Sequence, residues 1–185
     1  MSPRGSSERL AVLRREIARI EAASGASGLR RKQTDEAPAS ATAAYLSSVR
    51  LAGGLHEIVP ASASDAHAAL ALGLHLTAAC ACEKPAGGIV LIVEDFVALE
   101  TGAPYGPGLA AAGVDPARLV IVRARDARET LRVMEEALKC AAVVAVLAES
   151  AVPHRLYTLD ASRRLALAAR AGGGAGLLVP LALSG

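Results

Sequence analysis

The sequence predicts an α/β fold: a three-layer sandwich on a mostly parallel sheet, carrying an N-terminal helical extension. Three observations predict it. From Leu55 onward, short runs of strand formers alternate with helical stretches, the order that builds a parallel sheet covered by helices. The runs Gly88-Ile89-Val90-Leu91-Ile92-Val93 and Ala142-Val143-Val144-Ala145-Val146-Leu147 are apolar throughout, as strands buried on both faces are. The third is composition: 52% hydrophobic content in 185 residues excludes wholesale disorder and allows a sizeable core. With one phenylalanine, three tyrosines and no tryptophan, that core must be filled by Ala, Leu and Val. The same scarcity argues against nucleic-acid modules that stack bases on exposed rings.

Taken in order, residues 8–23 predict an amphipathic helix. Leu10, Leu13, Ile17 and Ile20 recur at spacings 3, 4 and 3 and form one narrow stripe, with Arg and Glu on the other faces. Such a stripe docks on a partner or packs on its own core. Ser24-Gly25-Ala26-Ser27-Gly28 ends the helix, and residues 24–44 read as a polar linker. Residues 1–49 therefore form the extension and residues 50–185 the core. Strands are expected at 55–59, 88–93, 118–123, 142–148 and 176–182. Helices are expected at 64–83, 106–113, 126–140 and 158–171. Asp126 with Glu129 predicts a helix N-cap, as does Thr158 or Asp160 for the last helix, and Asp115-Pro116 predicts a turn.

The uncharged run Ala66 to Cys82, broken by His67, His75 and Thr77, is slightly short for a bilayer, which wants about twenty apolar residues. It predicts a buried helix. The first twenty residues are too charged for a signal peptide. Three cysteines without framework spacing suit a reducing cytosol. Cys80 and Cys82 should point to different helix faces, and Cys140 should be a small buried residue.

Net charge is only +2, but residues 1–50 carry nine Arg or Lys against five acids. Arg30, Arg31 and Lys32 form the densest basic cluster, read either as a solvated tail or as a DNA-contacting arm.

The turn between the first strand and the first long helix, Pro60-Ala61-Ser62-Ala63-Ser64-Asp65, occupies the place where a phosphate-binding loop would carry G-x-x-x-x-G-K-[ST]. It has no glycine to curl backbone N–H groups around a phosphate and no lysine. Pro60 lacks an N–H, and Ser62 or Ser64 is expected to cap the helix itself. Asp65 would repel a phosphate by roughly 4 kcal/mol per unit charge at about 4 Å in an effective dielectric near 20. Either the loop has lost its grip on phosphate, or it is an ordinary strand-to-helix turn.

Glu94-Asp95 and Glu149-Ser150 close two strands where α/β proteins place catalytic acids, and the plain reading is a solvated strand end. His56 and His154 have no partner spacing and read as surface residues. Tyr105-Gly106-Pro107-Gly108-Leu109 predicts a tight turn into a short helix.

The succession Gly54-Leu55-His56-Glu57-Ile58, Tyr105-Gly106-Pro107-Gly108-Leu109, Gly113-Val114-Asp115-Pro116-Ala117-Arg118-Leu119-Val120, Met134-Glu135-Glu136-Ala137-Leu138 and Ala161-Ser162-Arg163-Arg164-Leu165 resembles the ImuA family of inducible mutagenesis proteins. That family looks like a degenerate relative of the recombinase RecA, so the resemblance implies a RecA-like core. It puts Pro60, Asp65, Ala66 and His67 where the loop's two glycines, lysine and threonine would be. It puts Asp95 near the catalytic acid and Glu149 near the magnesium-site acid. The short connection from Ser150 to Leu159 leaves little room for a first DNA-binding loop, and the sequence ends at Gly185 before a second. The implied role is a non-enzymatic accessory of SOS-induced translesion synthesis without a cofactor, cytoplasmic and nucleoid-associated. It would bind RecA, an inactive Y-family polymerase homologue (ImuB-like) and an error-prone polymerase assembly through Leu10, Leu13, Ile17 and Ile20. A nucleotide-gated ATPase switch using Asp95 and Glu149, or a DNA-binding accessory using Arg30, Arg31 and Lys32, are the alternatives.

Overall fold

The computed structural model describes Val12, Arg15, Arg19, residues 50–151 and residues 155–180. The chain divides into two units, Met1–Ala44 and Tyr45–Gly185. In the first, Val12, Arg15 and Arg19 are helical and exposed, at the spacing of one helix face. The Leu10, Leu13, Ile17 and Ile20 stripe, the Arg30, Arg31 and Lys32 cluster, and His154 lie outside the described residues.

The second unit contains strands β1 (Leu55–Glu57), β2 (Gly88–Glu94), β3 (Leu119–Ala124), β4 (Val143–Ser150) and β5 (Ala175–Pro180). Its helices are α1 (Ala66–Glu83), α2 (Asp95–Thr101), α3 (Gly106–Ala111), α4 (Ala127–Lys139) and α5 (Leu159–Gly172), with 3-10 turns at Ala63–Asp65 and Pro116–Arg118. The strands pair in the order β1-β5-β4-β2-β3, every pair parallel. This is the expected α/β sandwich.

Side-chain alternation along the strands builds two cores. Ile89, Leu91 and Val93 of β2, with Ala145 and Leu147 of β4 and Leu177 and Val179 of β5, face α1 and α3. Val90, Ile92, Val146, Ala148 and Leu178 face α4 and α5, where Met134, Leu138, Leu165 and Ala169 meet them. Alanines bring the layers close, and Gly73 brings α1 closer still. A Cβ there would lie 2.9 Å from Leu147 Cδ1. The segment Ala63–Glu83 reaches 21 residues and by length and composition alone could cross a membrane. In the fold its Ala69, Gly73, Leu76 and Cys80 side is buried against the sheet.

Four expectations are corrected. Helix α2 was missed, because its single periodic stretch of 7 residues is too short to show a helical period. β1 stops at Glu57, although Ile58 N–H still donates to Leu178 O at 2.9 Å; Pro60, with no N–H, cannot extend the ladder. Cys140 is exposed, because it ends α4 at the surface turn before β4. His56 is half-buried and bonds through Nε2 to Leu51 O at 3.1 Å, closing the turn before β1. Cys80 is buried and Cys82 exposed, as their spacing requires.

Candidate functional site

The carboxyl ends of the strands are where an open parallel sheet presents ligand sites. The turn after β1 comes first. Pro60 is buried, while Ala61 to Asp65 are exposed. Ser62 Oγ lies 2.7 Å from Ser64 Oγ and donates to Asp65 Oδ2 at 2.6 Å. Asp65 N–H donates to Ser62 O at 3.0 Å and closes the 3-10 turn. The expected capping by Ser62 or Ser64 does not occur: neither the 3-10 turn nor α1 has a side-chain acceptor at its N-cap. The serine hydroxyls engage one another and Asp65 instead. The helix start is thus faced by a carboxylate, with no cation among residues 60–66. An anion is disfavoured there.

The strand-end acids divide between the two faces of the sheet. Glu94 is not the solvated group the sequence suggested, since it is buried at 6% exposure. β2 runs on to include it, so it falls on the same face as Val90 and Ile92. Ser150 Oγ donates to Glu94 Oε2, and Ala151 N–H donates to the same oxygen at 3.2 Å. Glu149 is also buried, at 5% exposure, but follows Ala145 and Leu147 onto the opposite face. Burial pushes its carboxyl above the usual range, and the nearby His67 partly opposes this. Asp95, the first residue of α2, accepts from Arg123 Nε at 2.9 Å and from Arg123 Nη2 at 2.6 Å. The structure therefore does not gather Asp95 and Glu149 into one acidic pair. Sequence reasoning undervalued Glu94; its signal was the uninterrupted apolar run that carries β2 through it.

A cleft of about 310 Å³ opens at this edge between α1 and the segment leading into α3. Leu70, Leu74, Leu91, Val93 and Leu109 form its walls, with His67, Glu149 and Tyr105 as its titratable side chains. Tyr105 precedes α3 at the predicted Gly-Pro turn and is largely exposed. Of the residues assigned to the degenerate loop, only His67 reaches the cleft; Pro60, Asp65 and Ala66 do not line it.

These features define a class: a parallel α/β sandwich with an acidic serine turn and an apolar cleft at the sheet edge used elsewhere for phosphates. No protein-family model matches the sequence. Over 127 residues the chain is 35% identical to Protein ImuA of Caulobacter vibrioides, in both strain NA1000/CB15N and strain ATCC 19089/CB 15. The match covers 69% of this chain and 48% of the relatives, so it spans about half their length. Over that shared stretch the chain is similar to Protein ImuA. Among solved structures, SulA from Pseudomonas aeruginosa shares the fold, with a TM-score of 0.51 at 19% identity over 68% of this chain and 96% of that one.

Proposed function

We propose that the chain is a non-enzymatic accessory protein of damage-induced mutagenesis, serving translesion synthesis by binding other proteins. The observation that carries this reading is the turn after β1, considered with the similarity to Protein ImuA. A phosphate site needs free backbone N–H groups and positive charge. Here Pro60 supplies no N–H, Asp65 supplies a negative charge, Ser62 is already bonded to Asp65, and Ser64 is bonded to Ser62. Glu149 faces an apolar cleft, and Asp95 is held by Arg123. The arrangement retains the shape of a nucleotide-binding sandwich and lacks its means of holding triphosphate.

The partners proposed are RecA and an inactive Y-family polymerase homologue, engaged through Leu10, Leu13, Ile17 and Ile20. A pull-down with purified RecA and with the polymerase homologue, using the chain with and without residues 1–45, tests this. Capture that needs residues 1–45 supports the reading, and capture of neither protein defeats it. Calorimetry with magnesium and ATP gives the second arm: saturable binding at micromolar nucleotide would replace the adaptor with a nucleotide switch.

A further inference from the structure

We infer that the cleft between α1 and α3 is a binding site for a small organic cation, a ligand with an apolar body and one protonated amine or amidine that seats on Glu149. The inference stands apart from the adaptor reading, since it concerns what the cleft holds and not which protein the chain meets.

Glu94 and Glu149 lie at the same sheet edge, at 6% and 5% exposure. The fold gives Glu94 two donors, the Ser150 hydroxyl and the Ala151 N–H. Glu149 has no such donor: among the described residues none hydrogen-bonds its carboxylate, and His67 acts on it only as a nearby charge. Among the described residues no buried side-chain oxygen lacks a partner, so the Glu149 oxygens open to the cleft, where a bound group that brings a charged donor would meet them.

The surroundings select the donor. The walls are Leu70, Leu74, Leu91, Val93 and Leu109, with the Tyr105 ring beside them. Among the described residues no arginine or lysine lines the cleft, and His67 is its basic side chain. A phosphate or a carboxylate would therefore meet Glu149 with no permanently charged group to hold it. An apolar body suits the leucines, and a charged N–H donor suits the lone acid; charge-assisted hydrogen bonds are the stronger kind. At about 310 Å³ the cleft stands at the lower end of the roughly 300–1,000 Å³ usual for small-molecule sites, which favours a compact ligand.

The test uses the full chain and three matched probes: 2-phenylethylamine, 2-phenylethanol and phenylacetate. Binding is read by calorimetry and by leucine methyl NMR shifts at Leu70, Leu74, Leu91 and Leu109. The amine should bind about tenfold or more tightly than the alcohol, as a charged hydrogen bond in place of a neutral one predicts, and phenylacetate should bind weakest. Glu149→Gln should bring the amine close to the alcohol. The wild-type ranking alone decides the matter if that variant fails to fold. Equal binding of amine and alcohol, preference for phenylacetate, no methyl shifts with millimolar amine, or an amine preference that survives in Glu149→Gln would each overturn the assignment.

Discussion

Ser150 donates its hydroxyl to the Glu94 carboxylate, joining the carboxyl ends of β4 and β2 beneath a fully buried surface. The two strands are neighbours in register up to Val93 and Glu149. The next residue of each therefore turns towards α4 and α5, where these two polar groups satisfy one another.

Glu94→Ala should cost about 1–3 kcal/mol, because it leaves the Ser150 hydroxyl buried without an acceptor. Glu94→Gln keeps an oxygen that can accept from Ser150 and should lose much less. Urea denaturation of both variants checks this. Equal losses would mean that the bond contributes nothing beyond packing.

Glu149 gives the opposite pH behaviour to a salt-bridged acid. Its folded-state pKa is raised above the ordinary 4.5 by burial. As pH climbs past 4.5 the unfolded chain loses this proton first, while the folded chain retains it. Fewer protons are then bound in the unfolded state, so stability falls with rising pH until the folded pKa is passed. Glu149→Gln should accordingly melt higher than wild type at neutral pH, and the gap should close below pH 4.5. A gap that widens on acidification would show that Glu149 is instead stabilised as a carboxylate.

Much of this architecture was legible in the sequence, for definite reasons. β2 and β4 announce themselves because strands buried on both faces must be apolar at every position, and Asp126 marks the start of α4 because Glu129 N–H donates to its Oδ1 at 2.8 Å. The site was less legible. Whether Glu94 or Glu149 faces α1 depends on the parity of each strand's pleat, which strand ends read from sequence do not fix. The serines of the turn have the composition of caps, yet their hydroxyls found Asp65 and one another first. α2 gave no signal because so short a helix owes its stability to tertiary packing, in this case to fully buried Val97.

The two N-caps should separate by strength. Asp126 accepts from Glu129 N–H at 2.8 Å, and Thr158 accepts from Ala161 N–H at 3.3 Å. Replacing a cap by Ala costs about 0.5–2 kcal/mol, so Asp126→Ala should fall in the upper part of that range and Thr158→Ala near its floor. Chemical denaturation gives both values. The reverse order would show that the Glu129 carboxylate, which accepts from Arg125 N–H at 2.8 Å, holds the start of α4 without Asp126.

The three thiols should report the fold through their reactivity, because the thiolate is the attacking species. Cys80 sits in the α1 core, where burial pushes its pKa up to about 11 and the Glu83 charge adds to the rise. At pH 8 almost none of it is ionised, and its surroundings exclude a bulky reagent. Cys82, two residues on, lies on the outer side of the same helix, and Cys140 lies at the exposed end of α4. Titration of the native protein with an aromatic disulfide should therefore show two thiols reacting promptly. The third should react only as the α1 core opens, at a rate that rises with added urea. Three equally fast thiols would mean that α1 does not stay seated on the sheet in solution, since only its packing hides Cys80.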